Sequence, residues 1–558
     1  MPRHGQIMTH GADSAFLSSP LGSIRRMALT KIDKSDARYP SLTRGNNPRW
    51  QGTPKHVYLP ADAGEVKEAF DKIQKDKEKF AARGGGHCYI NSVDRADENY
   101  SVIDMGLLNQ VQYDQVHGAI SIDAGARLGE VYKYLFRRWG VTLPGGSCGT
   151  VGIGGHVLGG GYGLLSRLYG VTVDWLYGVE VITKDGEPKT VTRDSLDDDD
   201  KDLFWAHTGG GGGNFALVTR FLFRSSHPSI DGSDPTTCLP KAPSRVQLMT
   251  LKLPWKKTGG SENQWLNDLT KNFTTWCEKN AYTTPEQSKG TDRLFGLFRV
   301  KTPGSTAENH ALHLTVQVAE LADDYGSWWA ENILEEFRKS VQIDEAKKAH
   351  GKEGVVDFTE NLPWLDATQD LSGGDWADRA KQKSAYHLTF TDHHRNTMLR
   401  LWENPEIEGF GDEQKPGRGA LAQLDTYGAA VNRVDWESTA YSHRDSAVKI
   451  QYQAYWSAPD DAQDAEHLDW LNRAYAEIYD NDYLGEPLPA HDSPTNADGP
   501  PDTDGCFVNY LDDDLAALDY EQLYWGPKTL QRLKRIKRDQ DGGGVFTSAQ
   551  PIHPAPKP

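Results

Sequence analysis

No apolar run in this 558-residue chain approaches the ~18 residues that a membrane-crossing helix needs. Cysteine is scarce. The five present, Cys88, Cys148, Cys238, Cys277 and Cys506, are scattered and form no C-x-x-C pair, which excludes zinc ribbons and thioredoxin-like redox motifs. No metal centre is expected. Basic residues are the minority, 61 against 79 acidic ones, and the net charge of −18 argues against nucleic acid or an anionic membrane surface as partner. Such a field suits a neutral or cationic substrate better. Arg25-Arg26 is followed by no apolar segment, so no secretory signal is read near the N-terminus. A cytoplasmic location is expected, with secretion left open.

Glycine, by contrast, is abundant and clustered. One run reads Arg83-Gly84-Gly85-Gly86-His87-Cys88-Tyr89-Ile90-Asn91. A second reads Leu143-Pro144-Gly145-Gly146-Ser147-Cys148-Gly149-Thr150-Val151-Gly152-Ile153-Gly154-Gly155-His156 and continues to Gly161-Tyr162-Gly163. A third, Gly209 to Gly213, precedes Asn214-Phe215. Backbone amides freed of side chains approach a ligand closely and form anion-binding concavities. Five glycines in a row pack nothing, so the third run is expected to serve backbone approach. Each of the first two runs encloses one reactive side chain, His87 or Cys148, and the pair is suited to grip a flat ligand from two sides.

Two rival motifs fall in the second run. Gly152-Ile153-Gly154 begins a dinucleotide fingerprint, but Val157 stands where the third glycine belongs. Gly145-Gly146-Ser147-Cys148-Gly149 spells a nucleophile elbow, but a further glycine run follows where a helix is needed. Taken singly, His87 reads as a buried imidazole and Cys148 as a small core residue; the paired glycine frames reverse that reading.

The order and spacing of these runs, with Asn509-Tyr510-Leu511-Asp512 and the closing Val545-Phe546 and Gln550-Pro551-Ile552, resembles the berberine-bridge-enzyme-like branch of the vanillyl-alcohol-oxidase superfamily of FAD-linked oxidases. The resemblance implies FAD bonded covalently twice, through His87 to the 8-methyl carbon and through Cys148 to ring carbon 6. It implies cofactor contacts from Arg83, Gly84, Gly85, Gly86, Gly146, Gly149, Val151, Gly152, Gly155, His156, Gly161, Gly213, Asn214 and Asn509. It matches Tyr510 to the catalytic base and Tyr162 to a second active-site tyrosine that assists the base or shapes the cleft. Val151 matches a position that gates oxygen in plant relatives, where valine leaves room and leucine closes it. Lys383-Ser384-Ala385-Tyr386 also matches, with no role assigned. The family's Tyr-Tyr-Gly-x-Asn appears as Tyr524-Trp525-Gly526-Pro527-Lys528, a departure that puts a shared substrate with any close relative in doubt. With Cys148 tied to flavin, four thiols remain, enough for two disulfides that nothing requires.

Length predicts two or three domains. The expected class is α+β: a two-part FAD-binding domain, plus a substrate domain with an antiparallel sheet backed by helices. Residues 1–40 read as a loose arm, 41–228 as the FAD-binding domain, 229–500 as the substrate domain, and 501–558 as a segment that returns to complete the FAD-binding domain. Strands are expected at 56–60, 79–82, 100–104, 119–122, 179–183, 245–253, 294–300, 313–319, 420–434 and 447–456, with strand character again at 505–510. Helices are expected at 63–76, 128–138, 263–279, 465–479 and 530–538, and Asp197 to Asp200 as a solvated loop favouring the next helix. Asp492 to Asp504 reads as a loop too polar to bury. Tyr427 and Gln451 lie on strands that border the expected cleft.

The chemistry implied is hydride removal from an alcohol, sugar or glycoside, with the hydroxyl proton taken by Tyr510 and molecular oxygen reduced to hydrogen peroxide. The substrate classes are a sugar, a glycoside or a polycyclic natural product. Free tyrosine has a pKa of ~10, so the base needs surroundings that favour phenolate. Asp512, two residues on, would share a strand face with Tyr510 and could tune or compete with it. The alternative is a flavin-dependent oxidative cyclase or dehydrogenase of secondary metabolism; a non-enzymatic flavin carrier fits two covalent bonds poorly.

Overall fold

The computed structural model describes residues 28–90, 99–256, 263–304, 310–322, 328–372, 378–407, 419–456, 461–479, 502–517, 519–542 and 544–557. The arm up to residue 27, Asn91 and the acidic loop up to residue 501 lie outside these residues.

Three sheets organise the molecule. The first has β1 (Thr30–Asp33), β2 (His56–Leu59), β3 (Lys79–Arg83) and β4 (Tyr100–Asp104) in the order β1-β2-β4-β3. Strand β1 lies inside the stretch expected to be loose. It pairs antiparallel with β2 and buries Ile32. The helix Ala63–Lys75 crosses between β2 and β3. Asp62 caps it by accepting from the Glu65 amide, and Val66, Ala69, Phe70 and Ile73 form its buried stripe.

The second sheet has β5 (Val111–Asp114), β6 (Ala119–Asp123), β7 (Leu176–Ile182), β8 (Pro188–Thr192) and β9 (Leu217–Phe223) in the order β5-β6-β9-β7-β8. The Lys184-Asp185-Gly186 signal marks the β7–β8 hairpin, with Gly186 at φ 79°. Asp197 accepts from the Asp200 amide, so the acidic run is the cap and first turn of the helix Asp198–Ala206.

The third sheet is seven-stranded and antiparallel throughout. It contains β10 (Arg245–Pro254), β11 (Leu294–Lys301), β12 (His310–Glu320), β13 (Val356–Pro363), β14 (Arg379–His387), β15 (Gly419–Thr426) and β16 (Val448–Trp456), in the order β13-β10-β12-β11-β15-β16-β14. Strand β15 is shorter than expected, because Gly428 at φ 82° and Ala429 at φ 54° turn the chain away. One face carries Leu251, Phe298, Leu314, Leu424 and Tyr452, buried under helices including Gln264–Ala281, Asp392–Glu403 and Asp461–Ile478. Each such side chain contributes ~1.5–3 kcal/mol by leaving water. The alternate residues, Thr250, Thr315, Arg299, Gln423 and Gln451 among them, face the first two sheets across a cavity. The strict period of two thus separates a dry core from a polar wall.

The C-terminal return is not a strand. Residues 504–507 join no strand, Gly505 takes φ 74°, and the Tyr510 amide closes a turn on the Phe507 carbonyl. The segment is seated by the Lys383-Ser384-Ala385-Tyr386 motif of β14: Tyr386 N–H donates to Gly505, Asp504 N–H to Tyr386, and the Phe507 amide to Ser384 Oγ. The final helix is longer than expected, Tyr520–Asp541, and is kinked at Gly526-Pro527, where Gly526 takes φ 62°. Proline has no amide hydrogen and pushes the residue before it out of the helical region, which accounts for the kink. Phe546 then packs against Phe70 and Phe80, so the last residues close the core begun by the first sheet.

Candidate active site

The two reactive glycine runs meet back to back. A Cβ on Gly85 would collide with the Gly152 amide, and one on Gly152 would collide with Gly85. Neither obstacle is a flexible side chain. This contact brings the loop carrying His87 and the loop carrying Cys148 onto one cavity of about 810 Å3. Overpacking of this kind typically costs about 1–3 kcal/mol, occasionally more. Gly152→Ala is therefore expected to lower the thermal midpoint and the flavin content of the purified protein together. Wild-type melting with full flavin content would refute this account of the contact.

His87 Nε2 lies 2.9 Å from Thr150 Oγ1, so the second run orients the imidazole of the first. The Gly146 amide donates to His156 Nε2 at 3.2 Å, and Asn509 Nδ2 donates to the His156 carbonyl at 2.9 Å. Burial lowers the His156 pKa to about 4, which keeps the imidazole neutral and Nε2 free to accept that bond. Gly84, Gly85, Gly86, Gly146, Val151, Gly152, Gly155, Gly213, Asn214 and Asn509 also line the cavity.

Three residues expected against the cofactor stand outside the cavity wall. The Arg83 guanidinium donates to the Leu42 and Arg44 carbonyls and fastens β3 to the N-terminal loop. The Gly149 amide donates to Ser372 Oγ at 2.9 Å, at the end of the helix Trp364–Asp370. Gly161 packs on Thr172. The five-glycine run is also divided. Gly209 and Gly210 abut Tyr441 and the Ala206 carbonyl, so these two do pack, whereas Gly211, Gly212 and Gly213 line the cavity. The side chain of Asn214 faces protein, donating to Gly210 and accepting from the Ile552 amide.

Tyr510 lines the cavity from the C-terminal turn. Its ring stacks on Tyr89 at 5.1 Å and meets Phe507 edge-on at 5.0 Å. Lys449 Nζ lies 4.1 Å from the ring centroid. Among the described residues its hydroxyl has no hydrogen-bond partner. Burial and the Asp425 carboxylate push the phenol well above its ordinary range. Asp425 and Lys449 face each other at 3.5 Å; burial raises the Asp425 carboxyl and lowers the Lys449 ammonium, each held partly in check by the other.

The other expected groups are placed differently. Tyr162 lines the cavity, but its hydroxyl donates to the Thr426 carbonyl at 2.7 Å, which suits a wall rather than a proton acceptor. Tyr427 is outside the cavity, its hydroxyl bonded to Tyr441 and to the His443 carbonyl. Gln451 lines it and donates to Tyr89 Oη at 2.5 Å. Asp512 does not share a face with Tyr510, because no strand exists there. Its oxygens lie 2.5 Å from Lys381 Nζ and 2.8 Å from Lys383 Nζ, both buried on β14. Asp513 and Asp514 join the same lysines, so this acidic cluster is an ion-paired latch. No disulfide joins any of the five cysteines.

The family model for an FAD binding domain matches residues 54–192, and the berberine and berberine-like model matches residues 506–553. Aclacinomycin-N/aclacinomycin-A oxidase of Streptomyces galilaeus is 35% identical over 545 residues, covering 95% of this chain and 90% of that protein. Hexose oxidase of Chondrus crispus is 31% identical over 554 residues, covering 93% of this chain and 94% of its own length. Among solved structures, glycopeptide hexose oxidase complexed with teicoplanin superimposes with a TM-score of 0.80 at 30% identity, over 95% of this chain and 99% of that one. No helix among the described residues is long and apolar enough to cross a membrane.

Proposed function

Because this chain belongs to the berberine-bridge-enzyme-like family of FAD-linked oxidases, we propose that it oxidises an alcohol or hemiacetal carbon of a sugar or glycosylated natural product, with oxygen as the electron acceptor. The observation that carries this reading is the Tyr510 hydroxyl, open to the cavity and unmatched by any described partner, with Lys449 against its ring. A hydroxyl at a cavity wall without a protein partner is available to bond a substrate hydroxyl.

The lining fits FAD. A Cβ on Gly155 would meet nothing within 4 Å, and Gly212 and Gly213 are nearly as open, so these backbones leave a cradle for a flat group and its phosphates. His87 and Cys148 would hold the ring. FAD, when bound, supplies the hydride acceptor and passes the electron pair to oxygen, giving hydrogen peroxide. Tyr510 Oη takes the hydroxyl proton of the substrate, so that no positive charge is left on the carbon that loses hydride. Burial and Asp425 oppose the phenolate that this requires, and the Lys449 ammonium, 4.1 Å from the ring, is the cation placed to offset them. Tyr89, bonded to Gln451, holds the Tyr510 ring in place.

Peroxide release from a panel of sugars and aromatic glycosides tests the assignment. Absence of peroxide with every alcohol donor, together with turnover on a dye, would replace the oxidase by a dehydrogenase. Val151 lines the cavity three residues after Cys148. Val151→Leu is expected to slow reoxidation by air severalfold while substrate reduces the flavin at the wild-type rate, as followed by stopped-flow absorbance.

A further inference from the structure

The roof of the cavity is the polar face of the seven-stranded sheet, and its charges do not cancel. One rung of that face sets Asp425 opposite Lys449 and Leu297, beside Tyr510. The next rung on the same face lies about 7 Å along the strands, two residues at ~3.4 Å each. It sets Arg299 opposite His313 on one side and Gln423 on the other. Arg299 Nε donates to Gln423 Oε1 at 2.8 Å. Among the described residues no carboxylate reaches ion-pair distance of this guanidinium. The acid whose charge acts on it is Asp425, which is shared with Lys449.

The neighbours add no counter-charge. Lys301 lines the cavity one rung further on. His313 is held neutral, its pKa lowered to about 3 by burial and by Arg299 and Lys301. Of the other acids of the lining, Asp370 ends the helix that follows edge strand β13 and Asp378 precedes edge strand β14, whereas Arg299 stands on the central strand β11. A sequestered cation without a partner is costly, and a carboxylate matches the guanidinium fork in shape and charge.

We propose that Arg299 forms an anion subsite that selects substrates carrying a carboxylate about 7 Å from the rung beside Tyr510, as in a hexuronate or an acidic glycoside. This deepens the proposed oxidase function and rests on the cavity being the substrate site. The local field here is opposite in sign to the net charge of −18. Exposed charges beyond about 8–10 Å are screened in physiological salt, so the roof decides what binds inside.

The holoenzyme is titrated with benzoate and with its uncharged isostere benzamide, and binding is read from perturbation of the bound flavin spectrum. Benzoate is expected to bind about tenfold or more tightly than benzamide. Arg299→Gln is expected to abolish that preference with flavin content retained. A peroxide assay on glucuronate and glucose gives the second arm, with preference for the acid in the wild type and its loss in the variant. Equal binding of the two probes, or a benzoate preference that survives Arg299→Gln, overturns the subsite. An unchanged preference with a lowered flavin potential would assign the charge to the cofactor instead, and also overturns it. Peroxide from neutral sugars without an acid preference sinks the subsite alone. Benzoate preference without peroxide from any donor sinks the oxidase function alone.

Discussion

Replacing both His87 and Cys148 by alanine is expected to leave purified protein from which acid precipitation removes every trace of yellow. Each single replacement is expected to leave flavin attached through the surviving residue. Intact mass then reports one added FAD for the wild type and for both single variants, and none for the double variant. The expectation follows from the contact between Gly85 and Gly152, which sets the two loops against one cavity. It follows also from the Thr150 hydroxyl at 2.9 Å, which fixes the imidazole. His87 and Cys148 stand on separate loops, so removing one leaves the other frame intact. Complete release of flavin from wild-type protein by acid would end the proposal of covalent attachment.

Tyr510→Phe is expected to slow reduction of the flavin by substrate about 100- to 10,000-fold, with folding, flavin content and reoxidation retained. Phenylalanine preserves the stack on Tyr89 and the edge contact with Phe507, and removes only the oxygen. The sign of the pH dependence follows from the surroundings. Burial and Asp425 raise the phenol above its ordinary value, so the neutral form holds through neutral pH and the competent phenolate grows as pH rises. The wild-type reduction rate is therefore expected to climb with pH. Lys449→Met removes the cation 4.1 Å from the ring and displaces the climb to higher pH. Asp425→Asn removes the opposing charge and displaces it to lower pH. Anaerobic stopped-flow across neutral and alkaline pH measures all four proteins. A Tyr510→Phe rate equal to that of the wild type transfers the proton to another group.

Much of this was legible in the chain because local chemistry wrote it there. The α+β class, the antiparallel sheet and the helix stripes follow from periodicity, and the glycine frames mark a surface where backbone meets a ligand. The latch of Lys381 and Lys383 on Asp512 was not legible, because it joins residues some 130 apart. For the same reason a strand was expected at 505–510. Its apolar residues look like a ladder segment, but the Cys506 amide donates to the Leu523 carbonyl, the Phe507 amide to Ser384 Oγ, and the Tyr510 amide closes a turn. Arg83 looked like a cofactor contact because it adjoins the glycines, yet its nearest acceptors are the Leu42 and Arg44 carbonyls. Tyr89, Asp425, Lys449 and Arg299 escaped notice although a signal was present. Polar residues at every second position, as in Lys449, Gln451, Gln453 and Tyr455, mark a sheet face that meets something other than a core.

The cavity draws His87 and Cys148 from the first third of the chain and Tyr510 from the last tenth, and Phe546 closes the core that β3 begins. That ordering acquires a meaning during synthesis. Roughly 360 residues separate Cys148 from Tyr510. At about 5–20 residues per second, Cys148 leaves the ribosome roughly 20–70 s before Tyr510 does, and His87 earlier still. Throughout that interval the nascent chain displays both glycine frames with no wall of Phe507, Tyr510 or Phe546 over them. The two residues proposed for attachment and the residue proposed as base are thereby separated in time, and a ribosome stalled before residue 500 carries His87 and Cys148 without Tyr510 or the C-terminal residues that complete the cavity wall.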